Sequence, residues 1–249
     1  SSAASDVYKR QIEDGAELVY WPMWAETEPQ GQAISEAIDA FTKSTGVKVD
    51  VNWAGSRDTR KTLEPALSAG ETIDIFDEDI ERVNGTWGKY LLDIQSMYDA
   101  SPLNGAQNAT LIELAKQQGG GTLKSVPYQP STFIMFYNKD AFDKAGITAV
   151  PKTWDEFLEV CRQVTEKTDA YGLIEGGQQA WRMETLVRTF AQIAGAQVAG
   201  FGRVLTVNGK ADFDSQGMKD TFAFFQQLVD DGSLHPDTVT ISAPVARER

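Results

Sequence analysis

The sequence has almost nothing with which to build a thiol or imidazole centre. It contains one cysteine, Cys161, and one histidine, His235. A single cysteine excludes a disulfide within the chain. One residue of each kind also excludes a zinc site of the Cys/His type, which needs three or four such ligands. Imidazole acid–base chemistry would rest on His235 alone. That residue precedes Pro236 after a helix end and reads as a surface or C-capping residue. Scarce cysteine suits a cytosolic protein and equally an exported bacterial one. No run of about 18 apolar residues occurs, so no membrane-spanning helix is expected. The chain does not open on a charged-then-apolar signal segment. Ser1 to Gln11 lacks periodicity and caps, and residues 1–16 read as a leader, disordered or foreign to the fold.

Basic charge is also in short supply. Lys and Arg number 23 against 36 Asp and Glu, a net charge of −13. Nucleic-acid phosphates and anionic membranes would be repelled, so no nucleic-acid partner is expected. The motifs of several enzyme classes are missing: no Gly-x-Ser-x-Gly elbow, no Walker A loop, no dinucleotide glycine motif at a strand-to-helix turn. No metal and no cofactor are expected.

What is present is a regular alternation of elements. Glu17–Trp21 reads as a strand. Ile34, Ala37, Ile38 and Phe41 recur at helical spacing up to Gly46. Val47, Val49, Val51 and Trp53 alternate with polar residues as in a strand. A helix from about Asp58 to Ala69 carries Pro65, which should kink or shift it. Ile73–Phe76 is a third strand. Strand, helix, strand, helix, strand argues for an α/β layer with a parallel sheet.

Helices near Arg82–Tyr90 and Ala109–Gln117 follow, then a turn at Gly119 to Gly121, then an extended apolar run from Thr132 to Tyr137. Thr153-Trp-Asp-Glu156 is a capping box. Trp154, Phe157, Leu158, Cys161 and Val164 form the inner face of its helix. A strand at Tyr171–Ile174 and a helix at Arg182–Ala194 come next, with Leu186, Phe190 and Ile193 inward. Asn208-Gly209 signals a hairpin. Asp214-Ser215 caps a last strong helix, with Met218, Thr221, Phe222, Phe225, Leu228 and Val229 on one face and Gly232 at its end. Residues 239–249 are weakly patterned.

Four segments in register resemble the extracellular solute-binding proteins of carbohydrate ABC importers, including the maltose-binding type. They are Phe41-Thr-Lys-Ser-Thr-Gly-Val-Lys-Val49, Ile73-Asp-Ile-Phe76 with Leu91-Leu-Asp-Ile94, Tyr137-Asn-Lys-Asp140 with Pro151-Lys-Thr-Trp-Asp-Glu156, and Ala211-Asp-Phe-Asp-Ser215 with Leu228-Val-Asp-Asp-Gly232. The resemblance implies an α/β, two-lobed periplasmic-binding-protein-like fold with a ligand cleft between the lobes. The first lobe would span residues 17–130. A partial second lobe would span 131–238, with Phe133–Asn138 as the first crossing strand. Residues 239–249 would begin a truncated return segment. It also implies a monomer outside the cytoplasm, periplasmic or extracellular, free or lipid-anchored. Such a protein passes a small solute, a mono- or oligosaccharide, to permease subunits of an ABC importer.

Sugar recognition needs an aromatic face for the apolar side of the ring and a few oriented polar groups for its hydroxyls. Trp24 and Glu26 lie in the loop after the first strand, where open α/β sheets place ligands. Trp24 is either a stacking platform or a cover for the sheet edge. Asp77, Glu78, Asp79 and Glu81 form an acidic run. Glu81-Arg82 falls where maltose-type relatives carry an acid and an Arg that contact sugar hydroxyls, and the alternative is a solvated helix start. Glu78 stands where that type has an aromatic, which implies a different sugar. Tyr128 and Ser131 flank the expected hinge, and Tyr128 serves either the cleft or hinge packing. Gln178 and Trp181 lie in a loop of the second lobe, with Trp181 the expected platform there. Trp21, Trp53, Trp87 and Trp154 read as structural. Two other functions fit parts of the pattern. The acidic run could suit a cation such as a polyamine, and paired carboxylates could serve a glycoside hydrolase.

Overall fold

The computed structural model describes residues 12–53, 55–196, 206–207, 210–211 and 213–249. The chain divides into two compact units, Ser1–Thr132 and Phe133–Arg249. Of the expected leader, residues 1–11 lie outside the described residues. Residues 12–16 form a turn in which Ala16 N–H donates to the Glu13 carbonyl at 3.1 Å.

The first unit follows the alternation. Its elements are β1 (Glu17–Trp21), α1 (Pro29–Thr45), β2 (Lys48–Val51), α2 (Ser56–Ser68) and β3 (Ile75–Phe76). The sheet is parallel with order β2-β1-β3, pairing Leu18 with Val49 and Tyr20 with Ile75. The third strand is shorter than the sequence suggests. Asp74 N–H donates to the Val19 carbonyl at 2.9 Å, but the Asp74 carboxylate, not a backbone carbonyl, accepts from Val19 N–H at 2.8 Å. A side chain thus replaces one rung of the ladder. The helix through Pro65 runs on to Ser68. The helix expected at Arg82–Tyr90 is instead a π-helical turn, Arg82–Thr86, followed by a 3₁₀ turn, Gly88–Tyr90. Gly85 and Gly88 weaken any regular α-helix there. Trp87 is 1% exposed and meets Phe76 edge-on at 5.7 Å, with Leu63 and Val83 beside it. A second cluster joins Tyr98 of α3 (Gln95–Asp99) to Ile112 and Ala115 of α4 (Ala109–Gln118) and to Leu123.

The second unit is mostly helical: α5 (Lys139–Lys144), α6 (Trp154–Lys167), α7 (Ala180–Ile193), α8 (Gln216–Asp230) and α9 (Ala243–Glu248). Its core is aromatic. Phe190 of α7 stacks on Phe224 of α8 at 5.1 Å, and Trp154 and Phe157 of α6 close on Phe224 at 4.8 and 5.8 Å. Burial pushes the Cys161 thiol in this core up to about 12. The Thr153 cap forms as expected, its hydroxyl accepting from Glu156 N–H at 3.1 Å. The Glu156 carboxylate reaches back one residue further than a capping box requires, to Lys152 N–H at 2.6 Å. Ser215 caps α8 by accepting from Met218 N–H at 3.3 Å.

Several expectations for this unit are corrected. The strand at Tyr171–Ile174 is reduced to one parallel bridge, Leu173 with Leu234, because only the short stretch after α8 runs beside it. The run from Phe133 to Tyr137 is unpaired among the described residues, and its side chains are exposed, Phe136 by 84%. Phe222, Val229 and Ile193 face outward. The buried stripe of α8 is Met218, Thr221, Phe224 and Leu228, to which positions 222 and 229 lie roughly a quarter-turn off, and Ile193 is the last residue of its helix. His235 is buried rather than on the surface. Its ring meets Tyr171 at 4.6 Å and its Nδ1 accepts from Asp237 N–H at 3.0 Å. Residues 239–249 belong to the second unit and include α9, capped by Ser242. Of the expected hairpin, β4 (Thr206–Val207) and β5 (Lys210–Ala211) pair antiparallel, while Asn208-Gly209 lies outside the described residues. Among the described residues no helix is long and apolar enough to cross a membrane.

Candidate functional site

The carboxyl ends of β1 and β3 lie side by side, so residues that follow them in sequence converge. Tyr20, in β1, donates its hydroxyl to the Asp77 carboxylate just beyond β3. The other oxygen of Asp77 accepts from Met23 N–H at 2.6 Å. Trp24, one residue on, donates its indole N–H to the Tyr128 hydroxyl at 3.1 Å. Tyr128 is brought here by an irregular but braced segment. Leu123 is buried, Asn84 donates to the Ser125 hydroxyl at 3.0 Å, and Gln107 donates to the Pro127 carbonyl at 2.6 Å. Tyr128 remains 52% exposed.

The Trp24 loop itself is seated on α1. Gly31 packs against the loop backbone so closely that a Cβ there would collide with the Ala25 carbonyl oxygen. Glu28 closes the loop by accepting from Ala25 N–H at 2.6 Å.

Asp77 is buried, and burial raises its pKa. Hydrogen bonds from Tyr20 and Met23, with attraction from Tyr128, pull the other way, and the charge of Glu78 adds to the rise. Burial and the nearby Asp77 charge in turn push the Tyr128 phenol up to about 12, and raise that of Tyr20. Both phenols are therefore donors at neutral pH. A carboxyl whose folded pKa lies above its ordinary value binds protons more tightly when folded. Its contribution to stability is full below about pH 4 and is lost as pH rises through the raised value. Asp77→Asn is therefore expected to raise the thermal midpoint relative to wild type at pH 7, with the gap closing as pH falls towards 4. Calorimetry across that range checks it, and a gap that widens on acidification would contradict the assignment.

The remaining acids are engaged differently. Glu78 is buried, with its carboxylate accepting from Asp79 N–H at 2.8 Å. Asp79 accepts from Arg82 N–H at 3.0 Å and pairs with Arg82 Nε at 3.4 Å. Arg82 thus turns back on its own loop, and Glu81 begins the π-helical turn. Glu26 and Ser131 are exposed.

In the second unit, Trp181 stands on the first turn of α7, 43% exposed, with Phe133 against its ring at 6.3 Å. The loop before it is pinned to the tail. Gly177 N–H donates to the Thr238 carbonyl at 2.7 Å and Gln178 N–H to the Ile241 carbonyl at 3.0 Å, leaving the Gln178 side chain exposed.

The sequence singles out Trp24, Tyr128 and Trp181 and offers Asp77 only as one of an acidic run, while Tyr20 carries no signal beyond its strand. What marks Tyr20 and Asp77 is position, at the ends of two adjacent parallel strands. Among the described residues no group of three or more His, Cys, Asp and Glu could hold a metal ion. An open depression of about 600 Å³, lined by Glu17, Lys43, Lys48 and Asp50, lies at the amino ends of β1 and β2, away from the cluster.

A sequence model of the bacterial extracellular solute-binding proteins matches residues 24–246. The chain belongs to this family. As a solute-binding family member it is 25% identical over 219 residues to a binding protein of Brucella abortus, covering 85% of this chain and 49% of the relative. It is 25% identical over 170 residues to the erythritol/L-threitol-binding protein of Mycolicibacterium smegmatis, covering 61% of this chain and 35% of the relative. The chain thus spans about half the length of the first of these curated relatives. Among solved structures, an ABC transporter solute-binding protein of Thermotoga lettingae with bound α-D-tagatose matches at a TM-score of 0.66 and 20% identity. That match covers 92% of this chain and 56% of the other. At that identity the likeness is one of fold, the two-lobed α/β periplasmic-binding-protein architecture.

Proposed function

We propose that the protein is the extracytoplasmic solute-binding component of an ABC importer, and that it carries a neutral sugar or polyol to membrane permease subunits. The observation that carries this reading is the Tyr20–Asp77–Tyr128–Trp24 cluster at the carboxyl ends of β1 and β3. It fixes a large apolar ring beside the half-exposed Tyr128 hydroxyl, which accepts from Trp24 and keeps its own proton to donate, the kind of pairing that a polyhydroxyl solute requires. A solute that strands one of those polar groups loses about 1–3 kcal/mol, which gives selectivity without charge. The second unit adds an exposed indole, Trp181, with Gln178 near it in sequence.

The contacts proposed are Trp24, Glu26, Glu78, Glu81, Arg82, Tyr128 and Ser131 in the first unit and Gln178 and Trp181 in the second. Two similar proteins are described as binding erythritol or L-threitol and α-D-tagatose, which supports small neutral polyols and sugars as the class. The protein acts as a monomer outside the cytoplasm, free or lipid-anchored. It carries out no hydrolysis, since Asp77 and Glu78 are consecutive in one loop, whereas glycoside hydrolysis needs two carboxylates flanking the scissile bond.

Isothermal titration of the full-length protein with erythritol, ribitol, tagatose, maltose and spermidine tests this. Saturable binding of at least one neutral solute is expected. Binding of spermidine alone, or release of reducing sugar from a glycan panel, would overturn it.

A further inference from the structure

We propose that Arg182 is a specificity-determining residue: its guanidinium charges one face of Trp181, so that the exposed indole accepts neutral or anionic solutes and turns cations away. The proposal rests on the reading of Trp181 as part of a solute site. The Arg182 guanidinium carbon lies 4.6 Å from the Trp181 ring centroid, well inside the range of a cation–π contact. It is not a loose surface pairing. Arg182 is only 22% exposed in its side chain, and its Nε donates to the Gln179 side-chain oxygen at 3.2 Å.

Glu175 is the counter-charge, but its Oε1 stands 3.9 Å from Arg182 Nη1, beyond hydrogen-bonding distance. The same oxygen accepts from Gly176 N–H at 2.6 Å. The guanidinium is the charge that touches the ring, and the Glu175 carboxylate, at ion-pair distance, offsets part of its field. Phe133 takes an edge position, and the remaining exposure of Trp181 is what a solute can use.

A cation stacked on the exposed part of the ring, away from Arg182, would sit roughly 9 Å from the guanidinium. At an effective dielectric of about 20, and with Glu175 offsetting part of the charge, the repulsion corresponds to a loss of affinity of about threefold. A polyol hydroxyl meets no such penalty, and an anion gains.

The net charge of the protein, −13, predicts the opposite local preference, so the two can be told apart. In the full chain, the Trp181 contribution to fluorescence is isolated by subtracting the signal of a Trp181→Phe variant. It is then quenched with iodide and with caesium. Both constants are expressed relative to those of free N-acetyltryptophanamide, and so expressed the iodide constant is expected to exceed the caesium constant by about threefold or more. Arg182→Gln should bring the two constants together, and Arg182→Lys, which keeps the charge, should retain the excess. Equal constants in the wild type, or an excess that survives Arg182→Gln, would overturn the proposal. A purely structural role for Arg182 would move both constants in the same direction. Titration with spermidine and erythritol provides the solute readout, with Arg182→Gln raising the spermidine-to-erythritol affinity ratio by about threefold or more. An unchanged ratio counts against Arg182. Absence of binding by every neutral solute of the panel overturns the solute reading instead, and the quenching ratio still decides the role of Arg182.

Discussion

Gly31→Ala is expected to lower stability by about 3 kcal/mol and to weaken solute binding, because the added methyl group has nowhere to go. Its Cβ would collide with the Ala25 carbonyl oxygen and lie 2.9 Å from the Ala25 carbonyl carbon. Both are backbone atoms, so relief requires moving the loop rather than turning a side chain. Two effects oppose each other. Alanine favours a helix over glycine by about 1 kcal/mol, and position 31 lies in the first turn of α1. Overlap with backbone is the larger effect. The loop that shifts carries Met23 and Trp24, whose hydrogen bonds to Asp77 and Tyr128 build the first-unit cluster. Urea unfolding combined with titration of the solute checks both effects. A stable variant with unchanged affinity would show that the loop can yield without moving Trp24.

Phe224→Ala is expected to cost about 3–5 kcal/mol, the range for truncating a fully packed aromatic. Phe224 is 5% exposed and lies within 6 Å, centroid to centroid, of the rings of Trp154, Phe157, Phe190 and Phe225. It joins α6, α7 and α8, and the cavity it would leave cannot close without moving three helices. Because α7 carries both Phe190 and Trp181, loosening this core also frees the exposed indole. Phe222→Ala, two residues away but 55% exposed, should change stability by less than about 0.5 kcal/mol. Near-ultraviolet circular dichroism through a urea titration separates the two variants. Similar losses at both positions would mean that the aromatic core is not where the second unit is held.

The contrast between Phe222 and Phe224 marks where reading the sequence stops. Both are phenylalanines on one helix, and an apolar stripe can be drawn through either. Only the placement of α6 and α7 selects the stripe through Met218, Thr221, Phe224 and Leu228. Ile193 was misread for the same reason, since an apolar residue at a helix end has no guaranteed neighbour. His235 illustrates the reverse. A residue after a helix end reads as exposed, yet pairing of Leu173 with Leu234 draws it inside.

The site was legible in part. Trp24 and Trp181 are conspicuous because a large ring in a loop has few structural uses. Asp77 was lost among four acids within five residues, and nothing local says which of them turns inward. Tyr20 looked like any strand residue.

By itself the sequence determined the elements and the exclusions. Helical and strand periods, and the caps at Thr153 and Ser215, arise between residues a few positions apart and so survive in any tertiary arrangement. The lack of cysteine and histidine rules out disulfide and Cys/His zinc chemistry however the chain folds. Tertiary structure alone decided what the polar groups do. Tyr20 and Asp77 are 57 residues apart, and Trp24 and Tyr128 are 104 apart. The first pair meets because the sheet orders its strands β2-β1-β3 and brings two carboxyl ends together, the second because Asn84 and Gln107 brace the segment that leads to Tyr128. The buried acid, its two phenols and the neighbouring indole become a cluster through that placement, which no local pattern encodes.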